Sequence, residues 1–429
     1  MTAMDARRQL LDWIDADRDK LVGFFSGFLA KPSANPPGDT REAAGFIADY
    51  LDAEGIDHRL VAPRERMPNI LAVADGNSAG RHLVLNGHID VFPVGEDEQW
   101  THGPWSGEIA DGAVWGRGAS DMKCGTSASI LAYIYLARLR DRWPGKLVLT
   151  AVSDEETGGE WGTRYLLDNH AGDCLGDCVL NAEPSGLSSI RFAEKGTLRL
   201  TFQIHTPGAH GAYPHRSANA NRIAAGLIAD LDRLNDMPVP MPADIAGYLA
   251  RPEVRACMDT VMGAGAADVA LRVTVNVGVV RGGLKVNMMP GDCRVEVDIR
   301  LPFGVDRADV LAEIADILKA YPEATLEVQE AASNPASASD PEHPMMGILK
   351  RVISETSDHR PEAIAGIGAT DCKFFRYKGV PSFVYGPSPE TMSMADEHVP
   401  IDDFIHVLRT HALAAFDYLT TADELVDRI

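Results

Sequence analysis

Apolar positions along the chain follow two periods. Residues 40–54 and 126–139 carry them at the three-to-four spacing of a helix, whereas 69–74, 83–86, 147–152 and 178–181 are short apolar runs separated by glycine-rich turns and helical stretches. Runs of that length bounded by turn residues read as buried strands. Their alternation with helical segments predicts an α/β unit with a mostly parallel sheet flanked by helices. From about residue 195 the order changes to strand 198–205, helix 220–234, strands 271–280 and 293–301, helix 307–320 and strand 325–330. This β-α-β-β-α-β order is that of the split βαβ (ferredoxin-like) fold, long enough to form a core of its own. The small-residue stretch 331–341 reads as a linker, after which helical and short apolar signals resume. The expected architecture is a catalytic unit formed by 1–194 and 332–429, interrupted by a smaller unit at 195–331.

Composition narrows the function classes. The chain has 429 residues, 62 Asp plus Glu against 40 Lys plus Arg, and a formal charge of −22, with 45% apolar and 24% charged residues. Such a balance fits a globular enzyme of two or three domains. It offers no basic stripe for a phosphate backbone or an anionic membrane surface, so neither nucleic acid nor membrane is an expected partner. Charges recur every few positions in the first 20 residues, so no apolar leader or membrane span is expected there. A cytoplasmic protein with its six cysteines reduced is the expectation.

Potential ligands concentrate at the ends of the expected strands, where an open α/β sheet presents its site. HLVLNGHIDV ends with His88 and Asp90, two residues apart and therefore on one face. VWGRGASDMKCG places Asp121 in a glycine-rich turn before a helix. LVLTAVSDEETGG ends in Asp154, Glu155 and Glu156, adjacent acids that repel one another unless a cation or proton compensates. VLNAEPS ends in Glu183. Each alone has a bland reading, a satisfied histidine or a solvated acidic helix start. All of them at strand ends together point to a metal or general-base centre.

These ordered motifs, G-H-x-D at 87–90, G-R-G-A-S-D-M-K at 116–123, D-E-E at 154–156 and A-E-P at 182–184, resemble those of the co-catalytic metallohydrolases. That family includes aminoacylase, acetylornithine deacetylase, succinyl-diaminopimelate desuccinylase and the bacterial glutamate carboxypeptidases. The resemblance implies a catalytic domain with an inserted lid or dimerisation domain and a homo-oligomer, at least a dimer. It implies His88, Asp121 and Glu183 as ligands of one divalent metal, with Asp121 bridging to a second that Glu156 also binds. Zn²⁺ is the first expectation, Mn²⁺ or Co²⁺ the alternatives, with one or two ions per chain. Asp90 would orient His88, Glu155 would be the general base, and the Asp121–Met122 peptide would be cis. HGAYPH at 210–215 resembles the lid motif whose histidine stabilises the oxyanion in the partner subunit's site, which implicates His210 with Tyr213 nearby. VNMMPGDCRVEVDIR resembles a pattern whose Asn and Arg, here Asn287 and Arg300, bind a substrate carboxylate.

The chain departs from the family near its end. Where a histidine ligand is expected, SMADEHV has Ser393, and His398 is the candidate replacement. Either that imidazole completes a second site or a single metal is held by His88, Asp121 and Glu183. Cys124 stands where relatives often have glycine; a thiol so near Asp121 could line the site, and a small buried residue is the preferred reading. The expected activity is metal-dependent hydrolysis of a C–N bond, the amide of an N-acyl amino acid or dipeptide, in a small carboxylate-bearing substrate. An alternative is displacement of the amine of an aromatic amino acid such as 5-nitroanthranilate at a single-metal site. A non-catalytic binding protein on the same fold is the reading from another class.

Overall fold

The computed structural model describes residues 3–95 and 97–421 of the chain. Among these residues the largest sheet has nine strands. Its order is His58–Arg64, Met67–Asp75, Lys146–Val152, His82–His88, Cys178–Asn181, Ser382–Val384, Ser189–Glu194 and Ser337–Ala338, with Glu362–Gly366 pairing to Ser189–Glu194. The central pairings of Lys146–Val152, His82–His88, Cys178–Asn181 and Ser382–Val384 are parallel. Antiparallel pairs close both edges.

The central strands are buried on both faces, which is why they read as continuous apolar runs. Successive residues serve opposite cores: Leu83, Leu85, Leu147, Leu149 and Leu180 belong to the larger cluster, while Val84, Val148, Val152 and Val179 pack with Leu166, Leu167 and Phe375 on the other side. On the larger side, helix Cys124–Arg138 is buried from Cys124 through Leu136 because helix Ile401–Thr420 covers its outer face. The N-terminal helices Ala3–Ala16 and Arg18–Leu29 add Leu10, Ile14, Phe25 and Phe28 to the same core.

A second, antiparallel sheet has the order Thr274–Gly282, Asp292–Leu301, Gly196–His205 and Ala324–Val328. Helices Ala220–Leu231 and Arg307–Leu318 cover one face, with Leu198, Leu200, Phe202, Val295, Val297 and Ile299 in the core between. Asn219 and Asp306 cap these helices, each accepting from backbone N–H groups of the first turn. The residues between those core positions, Arg199, Asp298 and Arg300, are thereby turned to the other face.

Two stretches differ from the sequence reading. Residues 241–271 form helices Ala243–Leu249, Pro252–Met262 and Ala266–Ala270, whose Tyr248, Leu249, Val254 and Met258 pack into the larger core rather than the smaller. The expected linker 331–341 contributes Ser337–Ala338 as an edge strand on Ser189–Glu194. Its small residues carry little strand propensity, but the neighbouring strand presents backbone groups that need partners. No described helix is long and apolar enough to cross a membrane.

One close approach fixes the site's backing. A Cβ built on Gly125 would lie 2.1 Å from the carbonyl oxygen of Ala182, the residue before Glu183. Gly125→Ala is therefore expected to push the helix off that strand end and lower stability by about 1–3 kcal/mol. A urea denaturation midpoint equal to that of the parent protein would contradict this packing.

Candidate functional site

His88 ends its strand buried to 1% exposure. Its Nδ1 faces the backbone carbonyl of Asp90 at 2.8 Å, which leaves Nε2 3.1 Å from Asp121 Oδ1 and 3.3 Å from Glu183 Oε1. With the ring proton on Nδ1, the Nε2 lone pair would face two carboxylates with nothing between them. A proton or a metal ion has to occupy that position.

The expected role of Asp90 is modified by this geometry. Its backbone carbonyl is the nearer partner of the imidazole, while its carboxylate oxygen lies 3.5 Å from Nδ1. That carboxylate accepts from Asn35 Nδ2 at 2.9 Å and from the backbone N–H groups of Glu155 and Glu156 at 3.3 and 3.1 Å. Asp90 thus shapes the turn that carries the acids. Asp154 turns away from them and accepts from the Trp161 N–H at 2.8 Å and from the Thr157 hydroxyl.

Asp121 is held from the far end of the chain. The buried carboxylate of Glu397 accepts from the backbone N–H groups of Gly118, Ser120 and Asp121 at 3.1, 2.8 and 3.2 Å, and from Arg117 Nη1 at 2.9 Å. The Asp121–Met122 peptide is cis. Glu183 follows a polar ladder of strand-end side chains, its N–H donating to Asn181, which in turn donates to Asn86.

The resulting donors form two overlapping groups, His88 with Glu155 and Glu183, and His88 with Asp121 and Glu156, the atoms of each within 4.8 Å of one another. Burial pushes the carboxyls of Glu155 and Glu156 well above their usual range, and neighbouring acids reinforce it. Burial and Asp121 push Glu183 up to about 7. Burial opposes charge on His88, but Glu183, Asp121 and Asp90 outweigh it and raise its pKa. A buried oxygen of Glu156 has no hydrogen-bond partner. Crowded acids, an available imidazole nitrogen and an orphaned carboxylate oxygen are what a divalent cation would satisfy, and all-N,O donors suit Zn²⁺, Mn²⁺ or Co²⁺.

The acids line a cavity of about 250 Å³ whose other wall is the outer face of the smaller sheet. Asp121, Glu155, Glu156 and Glu183 face Thr197, Arg199 and Arg300 across it. Arg300 Nε donates to Asp298 at 2.8 Å, and Arg199 lies 3.6 Å from the same carboxylate. Two guanidinium groups thus share one acid.

Other expected residues lie elsewhere. His398 belongs to neither donor group: strand His398–Pro400 pairs with Ala113–Trp115, which stacks the imidazole on Trp115 at 3.9 Å and leaves Nδ1 2.9 Å from the Asp396 carbonyl. Ser393 does not line the cavity, whereas Cys124 is buried in the larger core, in line with its preferred reading. His210, Tyr213 and Asn287 sit on or beside the exposed ribbon formed by Ala209–His210 and Met288–Met289, outside the cavity. Asn287 and Arg300, expected together, are separated in this way.

The sequence reading also missed residues that the fold brings in. Lys373 is buried with Nζ 3.7 Å from Glu155 Oε1 and donates to the Thr370 carbonyl at 2.9 Å. Nearby Asp371 accepts from Thr163, and Glu194 receives Thr370 and Arg376. The available signal was the polar run T-D-C-K soon after the short apolar segment 362–366.

The model of peptidase family M20/M25/M40 matches residues 84–417. A succinyl-diaminopimelate desuccinylase of Methylorubrum extorquens is 31% identical over 396 residues, covering 87% of this chain and 94% of the relative. A succinyl-diaminopimelate desuccinylase of Paracoccus denitrificans is 29% identical over 386 residues, covering 87% and 92%. The crystal structure of an M20 family metallo-carboxypeptidase from Sulfolobus solfataricus superposes with a TM-score of 0.80 at 18% identity, covering 93% of this chain and 99% of that one. With the acid cluster and sheet order in place, the chain belongs to the M20/M25/M40 peptidase family, as a metal-dependent hydrolase of amide C–N bonds.

Proposed function

We propose that the chain hydrolyses the amide of a small N-acyl amino acid or dipeptide with a free carboxylate, and that His88, Asp121, Glu156 and Glu183 hold the divalent cation, zinc in the first instance. The observation that carries this reading is the convergence of carboxylates on one imidazole nitrogen, across a cavity from Arg199 and Arg300. A cation bound there would polarise the scissile carbonyl and make water a stronger nucleophile near neutral pH. Glu155 takes the proton of the attacking water and returns it to the leaving nitrogen, with Lys373 offsetting the charge of its carboxylate. Arg300 binds the substrate carboxylate from the opposite wall.

Both donor groups use His88, and its Nδ1 faces the Asp90 carbonyl. We therefore propose one strongly held ion per chain. This stoichiometry also favours a second reading, displacement of the amine of an aromatic amino acid such as 5-nitroanthranilate, where water attacks a ring carbon.

His210 and Asn287 serve, in this proposal, the cavity of a second copy, where His210 stabilises the oxyanion. Leu284 at 91% and Val286 at 100% exposure lie beside the same ribbon, which favours burial against a partner.

The substrate class is tested with N-succinyl and N-acetyl amino acids, dipeptides and aminobenzoates under added Zn²⁺ or Mn²⁺. Amide turnover is expected, and Glu155→Gln should lower kcat by about 10²–10⁴-fold. Deamination of aminobenzoates alone would favour the second reading, and undiminished turnover by Glu155→Gln would remove the proposed base.

Zinc at a thousandfold excess over its dissociation constant should stabilise the fold by about 4 kcal/mol. Elemental analysis should return one ion per chain after dialysis. A melting temperature unmoved by chelation would contradict the metal centre, and two equally retained ions would contradict the stoichiometry.

Mixing His210→Ala chains with Glu155→Gln chains should restore part of the activity that each lacks, because one cavity of the hybrid receives both intact groups. Activity that stays at the level of the separate variants would exclude a site shared between copies.

A further inference from the structure

Lys195 holds one sheet through its backbone and the other through its side chain. It joins strand Ser189–Glu194 of the larger sheet to strand Gly196–His205 of the smaller, and its N–H donates to the Gly366 carbonyl of the larger sheet at 3.2 Å. The residue is only 2% exposed. Its Nζ donates to the carbonyls of Val269 and Arg272 at 2.9 and 2.7 Å and to the Thr274 hydroxyl at 3.1 Å, where the chain enters the smaller sheet again. Three acceptors thus meet the three donors of an ammonium group. No carboxylate of the described residues forms an ion pair with it, and burial, Arg300 and Arg272 pull its pKa down to about 7 while Asp298 opposes them. A buried cation without a counterion is costly, so its place is explained by what it holds.

The chain passes between the two units more often than a simple insertion requires. Helices Ala243–Leu249, Pro252–Met262 and Ala266–Ala270 pack on the larger core in the middle of the smaller unit's sequence, and strand Thr274–Gly282 brings the chain back. Lys195 ties the first crossing to this return. The last crossing lies alongside, where Thr197 and Asn334 exchange N–H···O bonds of 2.8 Å. All of these meet at Arg300. In strand Asp292–Leu301 it stands opposite Thr274 on one side and Thr197 on the other, so the three side chains share the outer face, where Arg300 and Thr197 line the cavity of the acids. Asp298 sets the direction of the guanidinium through Nε, but it belongs to the same strand and cannot set the distance of that strand from the acids. The bond from Lys195 to Thr274 borders Arg300 and links it to the larger sheet.

We propose that Lys195 is a positioning residue for the hydrolase: it clamps the returning chain at Val269, Arg272 and Thr274 to the larger sheet and thereby fixes where Arg300 stands relative to the acid cluster. This rests on the reading of Arg300 as the anchor of the substrate carboxylate, and it adds what keeps that anchor at its distance. Without the clamp the smaller sheet is free to change its stance. A displaced anchor weakens the hold on a carboxylate, while His88 and the acids, all carried by the larger unit, keep their geometry.

Kinetics on the zinc-loaded full chain compare an N-acetyl amino acid with its primary amide, which lacks the carboxylate. Lys195→Met should raise KM for the acid by about tenfold or more, change KM for the amide less than about threefold and leave kcat close to the parent value. Thr274→Val removes one of the three acceptors and should raise KM for the acid by about threefold; it decides the question if Lys195→Met does not fold. In an Arg300→Met background neither substitution should add to the loss, because a clamp that acts through Arg300 has nothing left to place. Equal losses for acid and amide, a fall in kcat alone, or losses that add in the Arg300→Met background would make Lys195 a purely structural residue and overturn the proposal. Calorimetric titration with the same two compounds reads the preference for the acid without turnover, which keeps this test apart from the hydrolysis itself. An acid that binds the parent protein no better than the amide, or a preference that survives in Arg300→Met, removes the anchor and the clamp together. A preference lost in Arg300→Met but kept in both Lys195→Met and Thr274→Val overturns the clamp alone.

Discussion

Repulsion among buried carboxylates around a single imidazole is the constraint on which the rest of the structure depends. Asp121, Glu155, Glu156 and Glu183 come from three separate turns, and each could lower its energy by moving toward water. They are kept together by backbone and side-chain donors aimed at other acids: Asp90 fixes the turn of Glu155 and Glu156, and Glu397 fixes the loop of Asp121. Such charge-assisted bonds are stronger than neutral ones, roughly 1.5–3 kcal/mol each, and they hold the geometry in place. The fold thus uses one set of carboxylates to keep another set in an unfavourable place.

The larger sheet is the frame for that arrangement. Strands buried on both faces have no freedom to shift register without moving a whole row of side chains into the wrong core, so the residues at their ends stay in place. The smaller sheet contributes differently. Its inner face is apolar and its outer face presents Arg199 and Arg300, so positive charge faces negative charge across the cavity. A substrate entering there meets a surface of each sign.

Much of this was legible in the chain. The apolar runs at 83–86, 147–152 and 178–181 correspond to strands His82–His88, Lys146–Val152 and Cys178–Asn181, because strands buried on both sides leave a continuous apolar signature. Their polar ends named His88, Glu155, Glu156 and Glu183 directly. What the sequence could not convey was long-range. Lys373 is signalled only by a short polar run, and a helix far away in sequence brings it near Glu155. His398 shows the opposite error: an imidazole at a plausible spacing is diverted by its strand's pairing, which lays the ring on Trp115. Ser337–Ala338 was hidden because its strand character comes from the neighbour it completes rather than from its own side chains.

The clasp of Glu397 on the Asp121 loop has a further implication for how the protein comes into being. The two residues are 276 positions apart, so the loop cannot be locked until Glu397 has been synthesised and the chain has folded back on itself. Contacts of such separation form late, after local helices and hairpins. Until Glu397 is in place, the N–H groups of Gly118, Ser120 and Asp121 lack this acceptor. The geometry of the Asp121 loop is in this way tied to a segment far away in sequence by a single buried glutamate.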